Sequence, residues 1–166
     1  SKSPRYDNDV VETGPLARMI IDKDPLIYDI FAQLGPSVFL RTFARLHEAV
    51  KLVRELGVWL LKIDPRGPFY IRPKVPSEVT GMGLIEAARG ALGHWVSISN
   101  SKITRYQVIT PTAWNLSPKD SFDQHGPCEG ALNGTRVEDE NNPVEIGHVI
   151  RSFDPCLVCT VHTIKL

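Results

Sequence analysis

The residues with the greatest chemical potential stand together at the C-terminal end, which reads Asp154-Pro155-Cys156-Leu157-Val158-Cys159-Thr160-Val161-His162. Two thiolates two residues apart can grip one soft metal, and zinc, nickel or an iron–sulfur cluster would all accept them. A histidine three positions on could add a third ligand or bind a second, harder ion. Spacing alone does not choose between these. An isolated C-x-x-C favours half of a structural zinc site, with a redox pair as the other reading. Zinc has a difficulty, because a closed site needs four ligands. Cys128, His125 and His148 are the remaining candidates, and none forms a second knuckle. A thioredoxin-like pair fits poorly, since the motif does not lie between a strand and a helix.

Several elements must position this end. The periodicity predicts a long helix over residues 37–61, with Ser37 as N-cap. Phe39, Phe43, Leu46, Val50, Val53, Gly57 and Leu60 share one face, and Arg41, Arg45, Glu48, Lys51, Arg54 and Glu55 lie mostly on the other. The expected role is a core or bundle helix. Asp64-Pro65-Arg66-Gly67-Pro68 ends it. A shorter helix is expected over Pro25–Leu34, capped by Asp24. The opening stretch reads as irregular, with one short strand near Val10 and Val11. A short helix is predicted over residues 84–92. A β-hairpin follows, turning at Asn100-Ser101. Another short helix is expected at Pro127–Leu132. A last one starts with Asn142 as N-cap, Pro143 at the first position and Glu145 in a capping box. Its apolar face of Ile146, Val149, Ile150 and Phe153 leads into Asp154. The fold class is α+β, mainly helical, with a long core helix and a small β-hairpin.

Bulk properties narrow the function classes. The 166 residues suffice for a single domain or a fragment of a larger one. Nineteen basic residues balance nineteen acidic ones, so there is no field for nucleic acid. No apolar run is long enough to span a bilayer. The first ten residues lack an apolar signal region, so export or membrane attachment is expected to come from elsewhere. Three cysteines make no disulfide framework.

The terminal motif also resembles the D-P-C-x-x-C-x-x-H signature of nickel–iron hydrogenase large subunits. Three further blocks appear in the family's order. Residues 3–19 (SPRYDNDVVETGPLARM) resemble its segment ending in G-P-L-A-R. Residues 83–95 (GLIEAARGALGHW) resemble its E-x-x-R-G-x-L-x-H-W stretch. Residues 103–120 (ITRYQVITPTAWNLSPKD) resemble its R-Y-Q…P-T-x-W-N…P-x-D stretch. On these residues the chain is identified as similar to the C-terminal portion of that catalytic subunit.

The resemblance implies a nickel–iron centre carrying carbon monoxide and cyanide. Cys156 would be a terminal nickel ligand and Cys159 a bridging one. His162 and the backbone carbonyl of Val108 would bind a magnesium-like divalent ion. Arg89 would sit over the centre as hydrogen-bond donor to a cyanide, and it is a candidate base; its bland alternative is a surface arginine. Asp154 would brace Arg89, or merely end a helix in an Asp-Pro turn. Pro111 and Thr112 would face the second cyanide, although many Thr-Pro-Thr turns only turn. The implied reaction is reversible oxidation of dihydrogen, with electrons passing to iron–sulfur clusters of a small subunit. His94, His47 and Cys128 are expected to be structural. The G-P-L-A-R block carries no mechanistic role at this level.

Some of the family pattern is absent. Its other C-x-x-C, an acidic magnesium ligand and a proton-relay glutamate have no counterpart here. The chain is therefore expected to be a fragment or half of a split large subunit. The partners implied are the remaining N-terminal portion, the small subunit and maturation proteins. Four residues follow His162 where the family often has a cleaved extension. Ala88 replaces a common proline, which suggests a divergent branch of the cytoplasmic uptake or sensing kind. The expected localisation is cytoplasmic, or at a membrane through partner subunits.

Overall fold

The computed structural model describes residues 2–156; Cys159 and His162 lie outside the described residues. Pro15–Ile21 (α1), Pro25–Leu34 (α2) and Val38–Lys62 (α3) form a first helical group. A meander of Val79–Ala87 (β1), Gly90–Ser99 (β2) and Lys102–Ile109 (β3) follows. Pro111–Asn115 (α4), Pro127–Leu132 (α5) and Val144–Ser152 (α6) complete the order. The architecture is helical with a small antiparallel sheet, as the α+β expectation requires.

Local signals explain most helix starts. The Asp24 carboxylate accepts from the Ile27 amide, and Pro25 opens α2. The Ser37 hydroxyl accepts from the Leu40 amide at the start of α3. Thr110 caps α4 through the Ala113 amide. α6 begins one residue later than expected, with Pro143 itself at the cap and no side-chain cap. The Asn142 cap and Glu145 capping box therefore do not form.

Two hydrophobic clusters hold these elements. Leu16, Met19, Ile27, Leu40 and Ala44 pack α1, α2 and α3 together. Cys128, Val149 and Phe153 pack α5 on α6, with Val38 and Leu116 against them. Ile27 and Leu40 are fully buried, so each contributes about 2–3 kcal/mol of burial.

The predicted helix over residues 84–92 is a β-hairpin instead. Ile85 pairs with Leu92 and Ala87 with Gly90, leaving Ala88-Arg89 as a two-residue turn. Gly90 has φ 128, which a helix cannot contain. Pairing with β2 overrides the helical propensity of Glu86-Ala87-Ala88. The second turn falls at Asn100-Ser101 as expected, with φ 51 and 58, the pattern of a type I′ turn. The strand expected near Val10 and Val11 reduces to one bridge, Tyr6 to Asp9. α1 and α4 were not anticipated; both are short and open with proline.

α3 differs most in its packing. Its apolar stripe points outward: Leu46 is 64 % exposed and Val53 68 %. Its polar face points inward, and Arg41 is buried. The helix thus joins the core through Leu40 and Ala44 while leaving much of its predicted stripe uncovered. On β1, too, Met82, Leu84 and Ile85 are exposed. Among the described residues, no helix is long and apolar enough to cross a membrane.

Candidate metal centre

Arg89 sits at the tip of the β1–β2 hairpin, and two close backbone approaches fix that tip. Gly14, immediately before α1, faces the Arg89 carbonyl. A Cβ on Gly14 would lie 3.1 Å from that oxygen. A Cβ on Gly90 would lie 2.5 Å from Thr13 Oγ1 and 2.7 Å from the Gly14 nitrogen. Both glycines have positive φ, at 122 and 128. The segment before α1 and the hairpin tip can therefore touch only without side chains.

The Arg89 guanidinium meets Asp154, which stands just beyond α6. Its Nε lies 3.2 Å from Asp154 Oδ2 and donates to the Asp154 carbonyl at 3.1 Å. Asp154 has φ 50 just beyond α6, and its amide donates to the Arg151 carbonyl. It thus occupies the left-handed position that ends a helix, with a proline next. Asp154 both terminates α6 and grips Arg89.

Two residues on, the Cys156 amide donates to Thr112 Oγ1 at 3.1 Å. Thr112 is buried in the first turn of α4. Its hydroxyl accepts in this contact, so its own proton stays available to donate. Pro111 is buried beside it. Val108, near the end of β3, directs its carbonyl to the Lys2 ammonium at 2.5 Å. That oxygen already faces a positive charge.

α3 supplies arginines that hold the segment leading from α6 to Cys156. Arg45 donates to the Ser152 carbonyl at 2.8 Å, and its Nε lies 3.9 Å from Asp154 Oδ2. Arg41 stacks over the Phe153 ring at 3.9 Å and pairs with both Glu12 oxygens at 2.7 and 2.8 Å. A fork paired to one carboxylate in this way is the strong geometry for an ion pair. A cavity of about 10 Å³ lies between these groups, lined by Thr13, Arg45, Arg89, Asn115 and Asp154 among others. Thr13 Oγ1 and Arg45 Nε are buried with no hydrogen-bond partner among the described residues. The space and the two polar atoms suit one bridging water.

Cys128 is buried in the α5–α6 cluster, and burial pushes its thiol pKa up. That environment suits a small core residue and not a metal-binding thiolate. His47 contacts Asp24 at 3.0 Å, and His94 contacts the Tyr106 hydroxyl at 2.5 Å. Among the described residues no three His, Cys, Asp or Glu side chains converge on a common point.

The scaffold is thus an α+β unit that brings a guanidinium, its carboxylate and a cysteine to one place. The chain belongs to the nickel-dependent hydrogenase family, whose model matches residues 1–162. The periplasmic [NiFeSe] hydrogenase large subunit of Desulfomicrobium baculatum is 35% identical over 98% of this chain and 35% of its own length. The hydrogenase-2 large chain of Escherichia coli K12 is 31% identical over 98% of this chain and 33% of its own. The solved Ni-Fe-Se hydrogenase from D. vulgaris Hildenborough, in its as-isolated oxidised state, superposes with TM-score 0.85 at 37% identity. It is covered over 37% of its chain by 97% of this one. The chain therefore spans about a third of the length of the relatives it matches.

Of the residues singled out from sequence, Arg89 and Asp154 lie in contact, and Cys156 and Thr112 lie in contact. Val108 lies on β3, where its carbonyl accepts from Lys2 rather than joining either pair. Sequence reasoning missed Gly14, Arg18, Arg41 and Arg45, all of which touch the site or its supports. The G-P-L-A-R block held a signal for the first two, because its spacing places glycine at the entry of a short helix and arginine within it.

Proposed function

We propose that this chain is the C-terminal portion of the catalytic subunit of a nickel–iron hydrogenase. The observation that carries the reading is the Arg89–Asp154 pair, two residues before Cys156, with Cys156 tied to Thr112. Membership of the nickel-dependent hydrogenase family supports it.

The donor chemistry fits the metals. Cys156 with Cys159 would offer soft thiolates for nickel, and the Val108 carbonyl, once a divalent ion displaces the Lys2 ammonium from it, would with His162 offer harder ligands for a magnesium-like ion. When bound, a nickel–iron pair carrying carbon monoxide and cyanide supplies Lewis-acid sites at which dihydrogen is cleaved to two protons and two electrons. The residues of this chain orient and move protons around that event. Arg89, held by Asp154, presents a fixed cation suited to donate to a cyanide. The proton acceptor is Cys156 Sγ or, alternatively, Arg89. Thr112 keeps its hydroxyl proton free for the second cyanide. Pro111 closes the wall beside it.

The exposed stripe of α3 and the exposed face of β1 suit burial against the remaining part of the large subunit. Electrons leave to iron–sulfur clusters of a small subunit, and maturation proteins load the metals. The assembly is cytoplasmic, or membrane-associated through its partner subunits; the Desulfomicrobium relative is periplasmic by name.

The test is metal analysis and infrared spectroscopy of the large subunit containing this chain, co-produced with its partners. Nickel and iron with carbonyl and cyanide bands are expected. Stoichiometric zinc without nickel, or an absence of those bands, refutes the proposal. The chain alone should take up no hydrogen, because two thiolates are half a site.

A further inference from the structure

Arg18 lies on α1, and every N–H of its guanidinium is engaged. Nε and Nη2 donate to the two oxygens of Glu48 on α3, each at 2.7 Å. Nη1 donates to Glu86 Oε2 at 2.8 Å and to the Ala87 carbonyl at 3.0 Å. Nη2 also donates to the Ala88 carbonyl at 3.0 Å. A guanidinium has five N–H groups, and these five bonds use them all. The two carbonyls are those immediately before Arg89 in the hairpin turn. Glu48 anchors the fork to the long helix, so the turn is tied to the scaffold and not merely to α1.

We infer that Arg18 is a positioning residue for Arg89, fixing the hairpin tip so that the Arg89 guanidinium stays aimed at the metal centre. The inference rests on the proposed function for its consequence, and on the five bonds for its geometry. A two-residue turn has few ways to hold its orientation. Here three supports act on it: the Gly14–Gly90 contact, the Asp154 grip on the side chain, and the Arg18 grip on the carbonyls. Asp154 and Arg89 are each close to half exposed, so their ion pair alone is weak. Arg18 and Glu48 are more sheltered, at 20% and 14% exposure. The firmer anchor is therefore the Arg18–Glu48 one. Lysine cannot replace it, because one ammonium has three donors and no fork.

The experiment compares Arg18→Gln, Arg18→Lys and Lys51→Met in the assembled enzyme. Lys51 also ties α3 to the α1–α2 corner, through Asp22 and Asp24, but touches no part of the turn. Nickel content, infrared cyanide bands and turnover are measured together, with Arg89→Lys as reference. Both Arg18 variants should load nickel, shift a cyanide band in the same sense as Arg89→Lys, and lose turnover about a hundredfold, the scale of a misplaced group. Lys51→Met should leave the bands unmoved. Unmoved bands in a loaded Arg18 variant overturn the inference. So does failure of both Arg18 variants to load nickel, which makes Arg18 a structural tie. A parent enzyme without cyanide bands refutes the proposed function instead. The clamp is then read by hydrogen exchange at the β1–β2 turn, which Arg18→Gln should accelerate and Lys51→Met should not; equal exchange overturns it.

Discussion

Replacing Gly90 by alanine tests the contact on which the placement of Arg89 depends. At φ 128 an L side chain is strained whatever the space around it, at a cost of about 1–3 kcal/mol. The new Cβ would also lie 2.5 Å from Thr13 Oγ1 and 2.7 Å from the Gly14 nitrogen. The second of these is backbone, so α1 and the hairpin must separate, and such overpacking costs about 1–3 kcal/mol more. The two terms together give about 2–6 kcal/mol. Read as local opening, the lower value corresponds to roughly thirtyfold faster exchange of the amides flanking the turn. Hydrogen exchange followed by mass spectrometry on the assembled large subunit measures this directly. Gly35→Ala is the control: Gly35 has φ 65 but nothing within 4 Å of its Cβ position. Its ψ of -171 puts it in a backbone region open to glycine alone, so it should lose about 1–3 kcal/mol at the end of α2 and nothing at the hairpin. If Gly90→Ala speeds exchange at the turn no more than Gly35→Ala does at its own helix end, the close approach does not hold the hairpin, and the reasoning about Arg89 fails with it.

Other outcomes follow from the helical group. Leu40→Ala removes a fully buried side chain between α1, α2 and α3, and should cost about 2–5 kcal/mol; a shift below 1 kcal/mol in local exchange stability would mean that the cluster collapses freely. Asp24 is buried, which by itself opposes its charge, yet hydrogen bonds from His47, Lys51 and the Ile27 amide outweigh burial and hold its pKa down at about 2, against 3.8 ordinarily. Its folded pKa is depressed, so its contribution is whole above the unfolded value and is lost as pH falls from 3.8 towards 2. The loss should be of order 1–2 kcal/mol across that window, seen as falling protection of the α2 amides, and Asp24→Asn should flatten the slope; an unchanged slope contradicts the assignment.

Much of this molecule could be read from its residues one stretch at a time. Asp24-Pro25, Ser37 and the Asp64–Pro68 breaker mark helix ends through local hydrogen bonding and the missing proline donor, and those ends lie where the sequence puts them. Asn100-Ser101 makes its turn for the same local reason. Cys156 and Arg89 could be named as site residues because a motif is a local object. What failed depended on partners distant in the chain. Residues 84–92 carry helical propensity, and only pairing of Ile85 with Leu92, with Gly90 pressed against Gly14, makes them a hairpin. The amphipathic stripe of α3 was legible, but not the direction in which it faces. Arg41, Arg45 and Glu48 turn inward because Glu12, Ser152 and Arg18 wait there, and periodicity carries no information about that. The sequence by itself determined where helices begin and which residue types could bind metal. The Asp154–Arg89 pair was already implied by the resemblance, but only tertiary structure showed that the Ala87 and Ala88 carbonyls before Arg89 are held by Arg18, because an orientation is set by contacts between segments that no local rule relates.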